Sequence, residues 1–222
     1  MTAAIVVPIK APWRAKQRLG DILTEAERRR LAHAMAADVL AVVSALQGVA
    51  RYAVSDDPEL QALARRAGLE VVIDREGAGQ SAAVRQGFQA AAQAGAATLV
   101  TIPGDVPAVT GEDLRRLLEA HPEVDVLIAP DRDGVGTNGL RLRSPHAIPL
   151  HFGDDSLRQH REEAARAGLR FAVLPLERLA CDLDRPEDLA AYLRLRPRTA
   201  TLALLEALAI EERLAARDRP HA

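Results

Sequence analysis

Ala97-Thr98-Leu99-Val100-Thr101-Ile102, followed at once by Pro103-Gly104-Asp105-Val106-Pro107, is the stretch on which the reading of this chain turns. An apolar run rich in β-branched residues and closed by proline and glycine predicts a buried strand ending in a sharp turn. In an open α/β sheet the strand ends line the ligand crevice, so Asp105 is expected there as a fixed negative charge. Helix capping is the alternative, but Thr110-Gly111-Glu112-Asp113 supplies its own capping-box pattern ahead of Leu114, Leu117 and Leu118. That leaves Asp105 for a metal or a polar ligand.

Outward from this strand, strand-like and helix-like patterns alternate. Further strands are expected at 3–9, 51–55, 69–73 and 125–129. Helices are expected from the capping box Thr24-Glu25-Ala26-Glu27, from Pro58 to a terminating Gly68, over 80–94 before Gly95, and from Thr110. Such alternation implies a mostly parallel sheet covered on both faces. After Pro130 the texture changes to a polar, glycine-rich tract, a short strand at 140–143, a helix over 154–168 and an extended run over 169–176. Pro186 opens a helix in its favoured first-turn position, and 199–217 reads as one last helix. No repeat or linker divides the chain, so one domain is expected over 1–222, with 197–222 as a C-terminal helical extension.

Composition sets outer bounds. Of 222 residues, 48% are hydrophobic but only 3% aromatic, so the core must be built from Ala, Val, Leu and Ile. A net charge of −2 provides no global field toward nucleic acid or an anionic membrane. The single cysteine, Cys181, excludes an internal disulfide framework and agrees with a reducing compartment. The apolar run 3–7, broken by Pro8 and Lys10, is too short for a signal peptide or a membrane span. A soluble cytoplasmic protein is expected.

Several clusters carry chemistry. Lys10, Arg14, Lys16 and Arg18 crowd the loop after the first strand, where they suit a polyphosphate, although a solvated charge run has the same composition. No Gly-x-x-x-x-Gly-Lys-Ser/Thr occurs. In Cys181-Asp182-Leu183-Asp184 the alternation of a strand would put both carboxylates on one face, where like charges repel unless a cation lies between them. Capping by Asp184 of the helix at Pro186 accounts for one acid; a magnesium site shared with Asp105 accounts for all three. Gly77-Ala78-Gly79-Gln80-Ser81-Ala82 imitates a dinucleotide fingerprint but does not close the first strand. The tract 129–140 is a turn or a ligand loop, and Ser156 with His160 is an i, i+4 pair that either shares a ligand or lies on the surface.

In order along the chain stand Pro8-Ile9-Lys10, Lys16-Gln17-Arg18-Leu19, Ser55-Asp56-Asp57, Pro103-Gly104-Asp105-Val106-Pro107, Ala129-Pro130-Asp131-Arg132-Asp133-Gly134, Gly136-Thr137-Asn138-Gly139-Leu140, Phe152-Gly153-Asp154-Asp155-Ser156 with His160, and Asp182-Leu183-Asp184. With these tracts, over roughly 3–193, the chain resembles the 2-phospho-L-lactate guanylyltransferase family of deazaflavin-coenzyme biosynthesis. The resemblance implies a three-layer α/β/α sandwich with a mixed, mostly parallel sheet, of the nucleotide-diphospho-sugar transferase type. It implies transfer of GMP from GTP to 2-phospho-L-lactate, phosphoenolpyruvate or 3-phospho-D-glycerate, with release of pyrophosphate, in the biosynthesis of coenzyme F-420.

Residue by residue, the resemblance implies that Asp105, Asp182 and Asp184 hold Mg2+, with Asp105, Lys16 and Lys10 carrying catalysis. Thr137, Asn138, Gly153, Ser156 and His160 would serve the phosphoacid. Lys10, Lys16 and Arg18 would face the triphosphate, with Ser55, Asp56, Gln80, Ser81 and Ala82 on the nucleotide side. Gln80-Ser81 departs from an expected Leu-Asn type pair, Gly139 replaces the usual Ala, and the helix after Arg196 lies outside the pattern. The implied partners are GTP, the acid and a downstream transferase of the pathway; a homodimer is compatible with the leucine-lined last helix, and neither nucleic acid nor membrane is expected. The competing readings are a nucleotidyltransferase of the same fold acting on a sugar phosphate or molybdenum cofactor, and a nicotinamide-dependent reductase resting on Gly77 to Ala82.

Overall fold

The computed structural model describes residues 2–10, 16–75 and 77–217. Its strands are β1 (Thr2–Pro8), β2 (Val49–Ser55), β3 (Glu70–Ile73), β4 (Ala96–Thr101), β5 (Val126–Pro130), β6 (Thr137–Leu142) and β7 (Phe171–Val173). They form one sheet in the order β3-β2-β1-β4-β6-β5-β7. Every neighbouring pair is parallel except the two that involve β6, which runs antiparallel to β4 and β5. The helices are α1 (Glu25–Ala45), α2 (Pro58–Arg66), α3 (Gln80–Gln93), α4 (Gly111–Glu119), α5 (Ser156–Arg166), α6 (Pro186–Leu195), α7 (Ala200–Ala207) and α8 (Ile210–Arg217).

Alternation along β1 shows why the sheet needs cover on both sides. Ile5 and Val7 pack into the layer of α1, α2 and α4, whereas Ala4 and Val6 face α3 and α5. The expected three-layer sandwich is the observed one. Both capping boxes form: Thr24 and Glu27 close the start of α1, and Thr110 and Asp113 close the start of α4. Gly87 sits inside α3 because the helix lies hard against the sheet. A Cβ there would overlap Val6 and come 2.8 Å from Val54.

Two expectations need correcting. The tract 129–140 is neither wholly turn nor loop: from Thr137 it forms β6, buried throughout. Gly139 is a packing residue of that strand, since a Cβ would stand 2.9 Å from Leu179 and 3.0 Å from both Ala129 and Leu117. The last segment is two helices, broken at Ala209, whose φ of 51° is left-handed. Leu205 and Ile210 from these helices are buried with Leu31, Met35, Leu183 and Tyr192 in a third apolar cluster. Asp38 of α1 also accepts the first amides of α7, from Ala200 at 2.9 Å and Thr201 at 2.8 Å. Among the described residues, no helix is long and apolar enough to cross a membrane.

Candidate active site

β1 and β4 are paired in parallel and so end together, and β6, running the other way, begins where they finish. This brings Lys10 after β1, Asp105 after β4, and Thr137 and Asn138 at the head of β6 to one cleft of about 410 Å³. The turn after β4 is tied to the end of β1 by Gly104 N–H donating to Pro8 O at 3.3 Å. Asp105 in turn accepts, at its backbone carbonyl, the N–H of Leu183 at 3.1 Å. Leu183 is fully buried, so the acids on either side of it point back to the cleft, as the sequence alternation predicts, although the segment is an extended loop and not a strand. Asp184 does not cap α6: Asp188 does, accepting the N–H groups of Asp184 at 3.1 Å and Arg185 at 2.7 Å.

Two of the three acids, Asp105 and Asp184, grip a lysine. Lys16 has a left-handed backbone, with φ 63°, and its side chain is only 3% exposed. Its ammonium donates to Asp105 Oδ2 at 2.8 Å and also to Asp184 Oδ1. Burial alone would push this ammonium's pKa down, but the charges of Asp105 and Asp184 outweigh burial and hold it above the ordinary lysine value. Asp184 is likewise a contest in which burial raises the pKa and Lys16, helped by Arg18 and Lys10, lowers it further. Asp182 goes the other way: burial first, then the charge of Asp105, push it up to about 6, against a hydrogen bond from Asn138. Three carboxylates around one cleft make an oxygen-rich donor set of the kind a hard divalent cation takes. They do not form a closed cage, since among the described residues no group of three or more His, Cys, Asp or Glu converges to hold a metal unaided.

In the same cleft, Ser156 Oγ donates to Thr137 Oγ1 at 3.1 Å, and Gly153 is a further lining residue. Gly153 and Asp155 have positive φ, and no side chain caps the start of α5. Backbone donors at an uncapped helix start suit an anion. Beyond Lys10 lies a second cavity of about 270 Å³, whose walls include Asp56, Asp74, Gly79 and Gln80.

Most of the residues singled out from sequence reach these cavities: Lys10, Lys16, Arg18, Asp56, Gln80, Asp105, Thr137, Asn138, Gly153, Ser156, Asp182 and Asp184. Arg14 lies outside the described residues. Ser55, Ser81, Ala82 and His160 line neither cavity. The Ser55 hydroxyl accepts the Asp57 N–H at 3.2 Å, that of Ser81 accepts the Phe152 N–H at 2.8 Å, Ala82 is packed in the core, and His160 lies behind Thr137. The sequence reading missed Asp74, although it follows β3 as Asp105 follows β4 and the same strand-end logic finds it. The Gly77 to Ala82 lookalike follows β3, not β1, which removes the geometric basis of a nicotinamide site.

Comparison with known proteins adds an independent line. The family model described as guanylyl transferase CofC-like matches residues 3–213, reaching into α8, so the segment after Arg196 does fall within the family pattern. Phosphoenolpyruvate guanylyltransferase of Chloroflexus aggregans is 39% identical over 193 residues, covering 85% of this chain and 95% of the relative. 3-Phospho-D-glycerate guanylyltransferase of Phenylobacterium zucineum is 36% identical over 191 residues, covering 84% and 87%. 2-Phospho-L-lactate guanylyltransferase of Methanocaldococcus infernus is 30% identical over 184 residues, covering 83% and 81%. A solved structure from Desulfovibrio desulfuricans G20, named as a nucleotide-diphospho-sugar transferase, superimposes with a TM-score of 0.80 at 20% identity, covering 99% of this chain and 100% of that one. At that identity it speaks to the fold alone.

Proposed function

Because the chain belongs to the CofC-like guanylyl transferase family, we propose that its cleft transfers GMP from GTP to a small phosphorylated three-carbon acid, releasing pyrophosphate, in the biosynthesis of coenzyme F-420. The protein is a nucleotidyltransferase enzyme. The observation that carries the site assignment is the meeting of two unlike groups in one cleft: Lys16 between Asp105 and Asp184, and the hydrogen-bonded hydroxyls of Thr137 and Ser156.

The chemistry needs alignment more than proton transfer. An oxygen of the acceptor's phosphate, ionised at neutral pH, attacks the α-phosphorus of GTP, and the bond to the β-phosphate oxygen breaks. No general base is required, and among the described residues that line the cleft there is no Ser/His/Asp triad. Two anions must instead be held in line while charge builds at phosphorus. Lys10 and Arg18 neutralise the triphosphate, joined by Lys16 from its seat among the acids. The second cavity accommodates the base, with Asp56 and Gln80 at its wall. Thr137, Ser156 and Gly153 receive the acid. Asp105, Asp182 and Asp184 would hold magnesium together with substrate phosphates, as that ion is commonly completed. Bound there, it would neutralise the triphosphate and favour departure of pyrophosphate.

Pyrophosphate release tests this directly. The purified protein is expected to turn over GTP in preference to ATP, CTP and UTP, and only with a phosphorylated three-carbon acid present. Phosphoenolpyruvate is the first acid to try, since that name goes with the 39% identical relative. Mass spectrometry of the product identifies the acceptor. Turnover with a sugar phosphate and with none of the three acids would overturn the proposal.

A further inference from the structure

His160 is fully buried and lines neither cavity, yet its ring is fixed on both edges. Its Nε2 accepts the backbone N–H of His151 at 3.0 Å, its Nδ1 lies 3.3 Å from Thr137 Oγ1, and Phe152 meets the ring edge-on with centroids 5.4 Å apart. Burial, and then the nearby His151, push its pKa down to about 4, so the ring is neutral at physiological pH. A ring nitrogen that accepts a hydrogen bond carries no proton. The single proton of the neutral ring therefore sits on Nδ1 and is donated to Thr137.

That choice of tautomer sets the polarity of the hydroxyl pair in front of it. The chain His160–Thr137–Ser156 has two internal links, and its Nδ1–H and two hydroxyls bring three hydrogens to them. One hydrogen is left over, and it is available to the cleft that Thr137 and Ser156 line. With the opposite tautomer, Thr137 would donate to the ring and Ser156 to Thr137, and only lone pairs would face the ligand. We infer that His160 is a positioning residue for the acceptor: by donating to Thr137, it obliges the Thr137–Ser156 pair to present a hydrogen to the anion. The backbone N–H of His151 is what sets this polarity. The inference rests on the proposed role of Thr137 and Ser156 in holding the phosphoacid.

The unsubstituted full-length protein provides the first test. Nitrogen-15 spectra of the His160 ring at neutral pH, without ligand, are expected to show a protonated Nδ1 and a bare Nε2; the reverse assignment overturns the inference. Kinetics provide the second. His160→Met is expected to raise KM for the acceptor about tenfold while leaving KM for GTP unchanged. His160→Asn, whose amide can still donate toward Thr137, should raise it far less. In a Thr137→Val background His160→Met should add less than about twofold. An equally large effect in that background, or a matching rise in KM for GTP, would show that the ring acts through general packing and would overturn the inference. If the variants fail to fold, the ring spectra still decide. If no phosphorylated acid supports turnover, the proposed function fails, while the protonation state of the ring is read without substrate.

Discussion

The side-chain amide of Asn138 stands 3.0 Å from the carboxylate of Asp182 and gives its other hydrogen to the carbonyl of Leu179 at 3.1 Å. The second residue of a buried strand thus orients an acid in a loop 44 positions away. Both hydrogens of the amide are committed to this task, and Asn138 still lines the cleft.

Asn138→Leu, similar in volume and unable to donate, is expected to lower kcat/KM about 10–100-fold, the usual range for losing the partner of a site ligand. Steady-state pyrophosphate release measures it. An unchanged rate would show that Asp182 is oriented without this amide.

Asp105→Asn keeps the shape of the side chain and removes its charge. Lys16 retains Asp184, so the fold should persist by circular dichroism, while kcat should fall on the order of 10³-fold, as for loss of a charged stabiliser of the reacting centre. Near-normal turnover in the folded variant would remove Asp105 from the catalytic set.

Acid should weaken the tie between α8 and the start of α1. Hydrogen bonds from Arg213, followed by the Thr24 amide, hold Glu27 down at about 2, against an ordinary 4.5. A carboxylate depressed in the folded state contributes its full stability above about pH 4.5 and loses it as pH falls toward 2. The difference in melting temperature between wild type and Glu27→Gln should therefore be largest above pH 4.5 and shrink across that window. A constant difference down to pH 2 would show that Arg213 does not hold α8 through the Glu27 charge.

Arg141 is wholly buried within β6, and its guanidinium donates to the carbonyls of Leu117, Leu118, Ala120, His121 and Val124, closing the end of α4. Burial, then the charge of Arg143, bring its pKa down to about 10, still charged at neutral pH. A lysine has three donors and no planar fork to reach these oxygens. Arg141→Lys is expected to cost about 3 kcal/mol or more in urea unfolding. A loss below about 0.5 kcal/mol, the range of an ordinary surface change, would mean that α4 is closed by other means.

Local chemistry made much of the fold readable before any coordinates. The boxes at Thr24 and Thr110, the apolar run before Asp105 and the alternation around Leu183 each depend on neighbours a few positions apart. What escaped depends on distance along the chain. Lys16 finds Asp105 and Asp184 across 89 and 168 residues, and no spacing rule records such a meeting. Thr137 to Gly139 read as turn chemistry because small and polar residues favour turns; their burial in β6 comes from neighbours such as Leu117 and Leu179. Ser55 and Ser81 lie in the right tracts, but their hydroxyls are bonded to backbone amides, a detail that composition does not carry.

The reversed direction of β6 has an evolutionary consequence. In the proposed arrangement the donor side of the cleft hangs on turns after β1 and β2, and turns tolerate insertion and exchange, whereas Thr137 stands at the head of a strand enclosed by two neighbours. A change of acceptor is therefore harder to reach by grafting a loop than a change of nucleotide. It has to be made by single substitutions around an unmoving backbone, and variants bred for a new acid should accumulate their changes among the cleft-lining residues 152–154 and leave the strand itself untouched.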